Sequence, residues 1–180
     1  IYNLFKRQGM TQAMRVITAK AVFDGVNLLS NKAVLIADGV IIDLIDKDKV
    51  YDATQIEDFG NSVISAGLID LQLNGNGGVL FNDSISFASL ETMHQTNLRF
   101  GTTSYLPTLI TSDLNDVRTA LEVTKEWFKQ YGNTRGVIGL HLEGPFLSKE
   151  KRGIHPLEFV TLPTDAMLSE IASYTKYFPI

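Results

Sequence analysis

Three strand-like segments, each followed by a helix-like segment, make up the sequence over residues 63–180, and this alternation most constrains the fold. The strand-like runs are residues 68–73, 104–109 and 136–142. In each of the segments that follow them, apolar residues recur at helical spacing. Such alternation predicts parallel βα units, whose connections are right-handed and whose functional residues gather at the carboxyl ends of the strands.

The helix-like segments carry recognisable start and stop residues. The first has an apolar face over residues 87–93 and reaches its stop at Gly101. The second starts at Thr111-Ser112-Asp113, which are good N-cap and first-turn residues, and ends before Gly132, while the third begins at about Thr164. We therefore expect three amphipathic helices packed against the strands.

The first and third strands separate apolar from less apolar side chains, because side chains alternate along a strand. One face carries Ile69, Leu71, Leu73, Ile138, Leu140 and Leu142. The opposite face carries Asp70, Gln72, Asn74, Val137, Gly139, His141 and Glu143. We expect the apolar face to pack on outer helices and the polar face to point inward to a site. An open doubly wound sheet would show near-continuous apolar strands, so a β/α barrel is favoured.

The sequence divides into three regions. Residues 1–13 lack a regular period and are interpreted as an N-terminal arm or a non-native remnant. Residues 14–62 predict a small all-β module, in which Asp38-Gly39 joins two β-rich runs as a tight hairpin turn. Residues 63–180 hold three βα units, whereas a complete barrel needs eight and about 250 residues. We expect an incomplete barrel, the N-terminal part of a larger protein.

Composition excludes several classes of function. The net charge of -4 has the wrong sign for a phosphate-backbone footprint, so nucleic acid is not an expected partner. There is no cysteine for a disulfide scaffold or a thiolate metal site. No run approaches the roughly 18 consecutive apolar residues of a membrane span, and no signal-peptide pattern opens the chain. We expect a cytoplasmic protein without a membrane partner.

Glu143 is the first candidate for chemistry, because it ends a strand just before Gly144 and Pro145 turn the chain away. A carboxylate there can bind a metal or act as an acid or base. An isolated glutamate is more often a solvated loop residue, but the strand context favours function. His141, two residues earlier on the same face, either orients Glu143 or fills the core.

Three further side chains are candidates to line a site. Gln72 and Asn74 are neutral amides that can hold a water, a carbonyl or a hydroxyl, or instead satisfy the backbone of the glycine-rich loop 74–78. That loop matches neither the dinucleotide fingerprint nor the P-loop. His155 stands in a basic loop beyond Glu143, where a lone histidine is more often simply exposed.

Three separated motifs stand out in the sequence: residues 67–78 (GLIDLQLNGNGG), 101–111 (GTTSYLPTLIT) and 139–155, which includes GLHLEGPF and KRGIH. Together they resemble the N-acetylglucosamine-6-phosphate deacetylase family of the metal-dependent amidohydrolase superfamily. The resemblance implies a small β-sandwich followed by a (β/α)8 TIM-type barrel, of which this α/β chain holds the first three units. It also implies hydrolysis of N-acetylglucosamine 6-phosphate to glucosamine 6-phosphate and acetate, by an enzyme that is a homodimer.

The resemblance assigns roles to individual residues. Glu143 matches the family's glutamate metal ligand, and Ile154 and His155 match its substrate-contacting loop. The family's general acid/base aspartate and two histidine ligands match no residue here, so no catalytic acid/base is expected within the chain. Gln72-Leu-Asn74 replaces the superfamily's His-x-His pair, which implies one divalent metal ion, with zinc favoured, rather than two.

Two alternatives stay open at this stage. The first is another amidohydrolase that acts on a cyclic amide, although such enzymes usually carry the His-x-His pair that is missing here. A non-catalytic fragment that serves only as a binding or assembly module is the alternative from another class of function.

Overall fold

The chain forms two compact units, one ending at Ala66 and the other spanning Gly67–Ile180. A computed structural model describes residues 14–50 and 55–180. The predicted N-terminal arm, residues 1–13, therefore lies outside the described residues. In the described part of the chain, no helix has the length and apolar character needed to cross a membrane.

The first unit consists of β-strands, turns and a short 3₁₀ helix in its described residues. Its strands are β1 (Arg15–Thr18), β2 (Ala21–Phe23), β3 (Leu28–Ser30), β4 (Lys32–Ala37), β5 (Val40–Asp46), β6 (Gln55–Asp58) and β7 (Val63–Ile64). One sheet has the order β5-β4-β1-β6 and a second has the order β3-β2-β7. Val16, Ala33 and Leu35 form a small buried cluster in this unit.

The predicted hairpin at Asp38-Gly39 is confirmed. Strands β4 and β5 are antiparallel, with Ala37 paired to Val40 across the turn. Asp38 has a φ of 51° and Gly39 a φ of 76°, as a two-residue primed turn requires.

The second unit alternates strands and helices. Its strands are β8 (Leu68–Leu73), β9 (Gly75–Asn76), β10 (Val79–Leu80), β11 (Thr102–Ile110) and β12 (His141–Glu143), and its helices are α1 (Phe87–Arg99), α2 (Leu114–Tyr131) and α3 (Asp165–Ala172). The main sheet has the order β12-β11-β8. Strand β11 is parallel to both neighbours, which confirms the predicted parallel arrangement.

The predicted helix ends are also confirmed. Asp113 caps α2, because its carboxylate accepts hydrogen bonds from the backbone N–H groups of Asn115 and Asp116. Gly132 follows the last turn of α2 with a φ of 58°, a left-handed conformation that favours glycine. The Thr164 side chain caps α3 in the same way that Asp113 caps α2.

A single apolar core holds the second unit together. Its largest fully buried members are Trp127, Tyr105, Phe81, Leu90, Met93, Leu109, Leu121 and Leu140. Phe87 packs on Trp127 with ring centroids 4.7 Å apart, so the first turn of α1 is joined to the last turns of α2. This core packs α1 against β11, with Tyr105 and Leu109 of β11 among its buried members.

The third strand is shorter than predicted. Residues 136–142 were expected to form it, but β12 covers only His141–Glu143, and Val137 makes one isolated parallel bridge to Tyr105. The backbone N–H of Leu140 donates instead to the carbonyl of Pro179, at 3.0 Å. The chain near Pro179 thus occupies the free side of this segment.

The expectation that the apolar face of β8 packs on helices is wrong for two of its three residues. Ile69 and Leu71 are 64% and 62% exposed, and only Leu73 packs against the core. The reason is position, because β8 is an edge strand of the sheet while α1 packs against the central strand β11.

Removing the cap of α2 tests this account of the fold. We expect Asp113→Ala to lower the free energy of unfolding by about 1 kcal/mol, because two backbone N–H groups lose their acceptor. Asp113→Ser keeps a capping oxygen and should stay within a few tenths of a kcal/mol of wild type. Urea unfolding of the three proteins checks this. Equal loss in both variants would contradict the capping role.

Candidate active site at the carboxyl ends of the parallel strands

Glu143 lies at the carboxyl end of β12, where it pairs with Ile110 of β11. One carboxylate oxygen, Oε2, accepts a hydrogen bond from Nε2 of Gln72 at 2.8 Å. The other, Oε1, lies 3.6 Å from Nε2 of His155. The carboxylate is therefore held between an amide and an imidazole, and its side chain is 31% exposed.

His155 is not the exposed loop histidine that its sequence position alone suggests. Its side chain is only 11% exposed, and Nδ1 lies 2.9 Å from Oγ1 of Thr111. The backbone N–H of Thr111 also donates to Nδ1, at 3.4 Å. The loop after β12 therefore folds back so that His155 reaches both Glu143 and the end of β11.

Thr111 is a site residue that the sequence did not reveal, because it was interpreted only as part of the start of α2. It is 2% exposed, and its hydroxyl oxygen lies 3.3 Å from the backbone carbonyl oxygen of Glu143. Its position directly after a strand was an available signal, since residues at the carboxyl ends of parallel strands line the sites of such folds.

Asn82 is a second residue that the sequence did not single out. Its side chain donates to the backbone carbonyl of Ile110 at 3.2 Å and accepts from the backbone N–H of Ile110 at 3.0 Å. These two hydrogen bonds resemble those that a neighbouring strand would make to Ile110. Strand β8 does not reach Ile110, because its pairing with β11 ends at Pro107. Asn82 therefore fixes the carboxyl end of β11 beside Glu143.

The remaining candidate residues are His141, Asn74 and Ile154. His141 contacts the neighbouring strand, with Nδ1 3.1 Å from Oγ1 of Thr108. Asn74 is half-buried, and its backbone carbonyl accepts from the N–H of Phe81 at 2.8 Å. Ile154 is 90% exposed, next to the nearly buried His155. Among the candidates, the structure thus joins Gln72, Glu143 and His155 directly.

His94, to which the sequence assigned no role, lies on α1 away from the cluster. It is buried, and burial lowers the pKa of its imidazole below the usual value. A Cβ on Gly136 would lie 2.8 Å from its Nδ1, so glycine makes room for the ring. These features describe a neutral histidine packed in the core.

The candidate residues include one side chain, Glu143, with the chemistry of a metal ligand, but not a complete ligand set. Glu143 has the carboxylate oxygens that a divalent cation binds, and it is partly open to solvent. In residues 14–50 and 55–180, however, no three histidine, aspartate or glutamate side chains converge as a metal site would require. Glu143 fits as a single ligand, and any others must come from further residues.

Several proteins of known structure or function are similar to this chain in sequence or fold, although no protein-family model matches it. N-acetylglucosamine-6-phosphate deacetylase of Haemophilus influenzae is 38% identical over 146 residues, which are 81% of this chain and 38% of that protein. N-acetylgalactosamine-6-phosphate deacetylase of a Shewanella species is 37% identical over 141 residues, 77% of this chain and 35% of that protein.

The crystal structure of N-acetylglucosamine-6-phosphate deacetylase from Pasteurella multocida superposes with a TM-score of 0.86 at 37% identity, covering 92% of this chain and 43% of that one. The chain is thus a relative of the amino-sugar-phosphate deacetylases. Among these, it is similar to part of the N-acetylglucosamine-6-phosphate deacetylases, as the three motifs indicated. It spans about two fifths of their length.

Gly144 offers a test of the packing in the cluster. A Cβ at this position would lie 2.0 Å from Oγ1 of Thr111, and the φ of Gly144 is +110°. We expect Gly144→Ala to destabilise the protein by about 2–4 kcal/mol, since backbone strain and overpacking add.

Gly153 is the matched control, because its φ is +63° and nothing lies within 4 Å of a Cβ built there. Gly153→Ala should cost only the backbone strain, about 1 kcal/mol. Thermal or urea unfolding of both variants measures the difference. Equal destabilisation would show that the close approach of Gly144 to Thr111 is not present in solution.

Proposed function

We propose that this chain is part of a metal-dependent deacetylase that hydrolyses the N-acetyl group of N-acetylglucosamine 6-phosphate, giving glucosamine 6-phosphate and acetate. The observation that carries the proposal is the cluster of Gln72, Glu143 and His155, at the carboxyl ends of parallel strands. The identity to named deacetylases, 38% and 37%, supports the same activity.

The proposed architecture is the first three units of a β/α barrel, preceded by a small β-sandwich module. The module was predicted over residues 14–62, but it extends to β7 (Val63–Ile64), because β7 pairs with β2 of the first unit. Parallel pairing of β11 with β8 and β12 supports it, as does the hydrogen bond that Leu140 makes to Pro179 on the open side of the sheet. The exposed apolar residues Ile69 and Leu71 on the edge strand β8 are those that further strands and helices of a barrel would cover.

The proposed roles follow from the chemistry of each side chain. Glu143 is the metal ligand that this chain contributes, with one divalent ion, zinc favoured, as the cofactor. Such an ion polarises an amide carbonyl and lowers the pKa of water. His155 Nε2 faces Glu143 at 3.6 Å, so the imidazole can donate to an oxygen of a substrate bound beside the carboxylate. Ile154 is exposed on the same loop, in a position to contact the sugar.

Gln72 and Asn74 are proposed to line the site without binding the metal. The amide of Gln72 donates to Glu143, which leaves its oxygen as an acceptor for a substrate hydroxyl or a water. His141, bonded to Thr108, is proposed to stabilise the strand beneath Glu143. The homodimer and the cytoplasmic location implied by the resemblance remain predictions.

A second substrate has a specific observation in its favour. The Shewanella relative, 37% identical to this chain, is an N-acetylgalactosamine-6-phosphate deacetylase. The two sugars differ only in the configuration of one hydroxyl, so the acetyl group and its hydrolysis are the same. Comparing kcat/KM for both sugar phosphates in a complete enzyme containing this chain decides between them.

Metal content and activity should separate the roles of Glu143 and His155 in that complete enzyme. We expect Glu143→Gln to lower both together, because a neutral amide is a weaker ligand for a divalent cation. His155→Ala should keep the metal but lower kcat/KM about tenfold or more, where tenfold corresponds to about 1.4 kcal/mol.

Elemental analysis and steady-state kinetics of each purified variant measure these effects. Glu158→Gln is the control for charge removal, since Glu158 is an exposed residue of the 3₁₀ helix beyond His155. Loss of metal in His155→Ala with retention in Glu143→Gln would reverse the two assignments.

The 180-residue chain by itself should bind zinc weakly and show no deacetylase activity. The reason is that its described residues present one carboxylate ligand and no converging set of three. Zinc titration by calorimetry, beside an assay for released acetate, checks this. Turnover by a protein of verified mass 19.9 kDa would contradict the assignment of the missing ligands to other residues.

A further inference from the structure

The proposed function makes no use of the contacts of Thr111. Its hydroxyl is buried and lies 2.9 Å from Nδ1 of His155 and 3.3 Å from the backbone carbonyl oxygen of Glu143. The hydroxyl has a single proton, and the shorter of the two contacts directs it to Nδ1. Gly144 leaves the space for the hydroxyl, since a Cβ there would lie 2.0 Å from the hydroxyl oxygen. The Thr111 hydroxyl is buried, has two polar neighbours and fits there only because residue 144 is glycine. These features indicate a specific contact rather than incidental packing.

In a neutral imidazole at His155, the surrounding contacts favour one of the two tautomers. The backbone N–H of Thr111 can only donate, and it points at Nδ1 from 3.4 Å. On the other side, the carboxylate of Glu143 can only accept, and it faces Nε2 at 3.6 Å. A proton on Nδ1 would oppose the N–H of Thr111 and leave the lone pair of Nε2 facing a carboxylate. The proton therefore belongs on Nε2, with Nδ1 as the acceptor.

We propose that Thr111 is a positioning residue, which holds Nδ1 of His155 as an acceptor and so keeps the Nε2–H directed into the site. The backbone N–H contact is long for a hydrogen bond, so the hydroxyl at 2.9 Å supplies most of the restraint. This inference rests on the proposed function for its effect on activity, because there His155 donates to an oxygen of the substrate. The effect of Thr111 on the tautomer of the His155 imidazole does not depend on that activity.

The test uses a complete, metal-loaded enzyme that contains this chain. Thr111→Val replaces the hydroxyl by a methyl group of similar size, while Thr111→Ser keeps the hydroxyl. Thr124→Val is the matched control, since Thr124 is fully buried in α2 and its hydroxyl has no hydrogen-bond partner. Each variant is measured for metal content, for kcat and KM, and for the ¹⁵N chemical shifts of the His155 imidazole, assigned with His155→Gln.

We expect Thr111→Val to lower kcat about 10- to 100-fold, the usual cost of losing a partner that orients a site residue, with KM and metal content changed less than about twofold. Its His155 shifts should move from the Nε2–H form toward a mixture of the two forms. Thr111→Ser should restore both kcat and the shifts, and Thr124→Val should leave both at wild-type values.

Three results would overturn the proposal. They are an Nδ1–H form in the wild-type enzyme, wild-type kcat and shifts in Thr111→Val, and an equal loss of kcat in Thr111→Val and Thr124→Val. If the wild-type enzyme deacetylates neither sugar phosphate, the proposed function fails instead, and the imidazole shifts still decide the role of Thr111.

Discussion

The parallel pairing of β11 with β12 is the interaction on which the rest of the second unit depends. Its register places Thr108 opposite His141 and Ile110 opposite Glu143, so each polar residue of β12 meets a defined neighbour. The apolar core beneath, with Tyr105 and Leu109 fully buried, prevents β11 from shifting. A shift by one residue would turn every side chain of the strand to the opposite face and separate these pairs.

Two contacts extend that register into the loops. Asn82 pairs with the backbone of Ile110 where no further strand residue is available, and Thr111 joins the end of β11 to Glu143 and His155. The site is thus built on strand ends and fixed by side chains from two different connections. Site side chains that are supported in this way keep the restricted positions and orientations that catalysis requires.

Local signals predicted most of the fold from the sequence. The cap at Asp113, the stop at Gly132 and the turn at Asp38-Gly39 depend on neighbours within a few residues, and all three are present. The exposure of Ile69 and Leu71 could not be predicted in this way, because periodicity shows which residues share a face and not what covers that face.

The site was predictable to a similar extent. Glu143 and Gln72 follow from their places on strands, but their contact at 2.8 Å does not, because β11 lies between β8 and β12 in the sheet. The roles of Thr111 and Asn82 were not predictable, since each contacts residues about 28 to 44 positions away along the chain. The role of a neutral polar residue of this kind can be identified only from its tertiary contacts.

The central claim is that Glu143 is the carboxylate through which this chain binds a metal. An anomalous difference map at the zinc absorption edge, from crystals of a complete enzyme that contains these residues, tests it most directly. The account predicts a peak about 2.0–2.2 Å from a carboxylate oxygen of Glu143, with His155 beyond bonding distance of the ion. A peak bonded to His155, or one remote from Glu143 with the Gln72 contact unchanged, would contradict it.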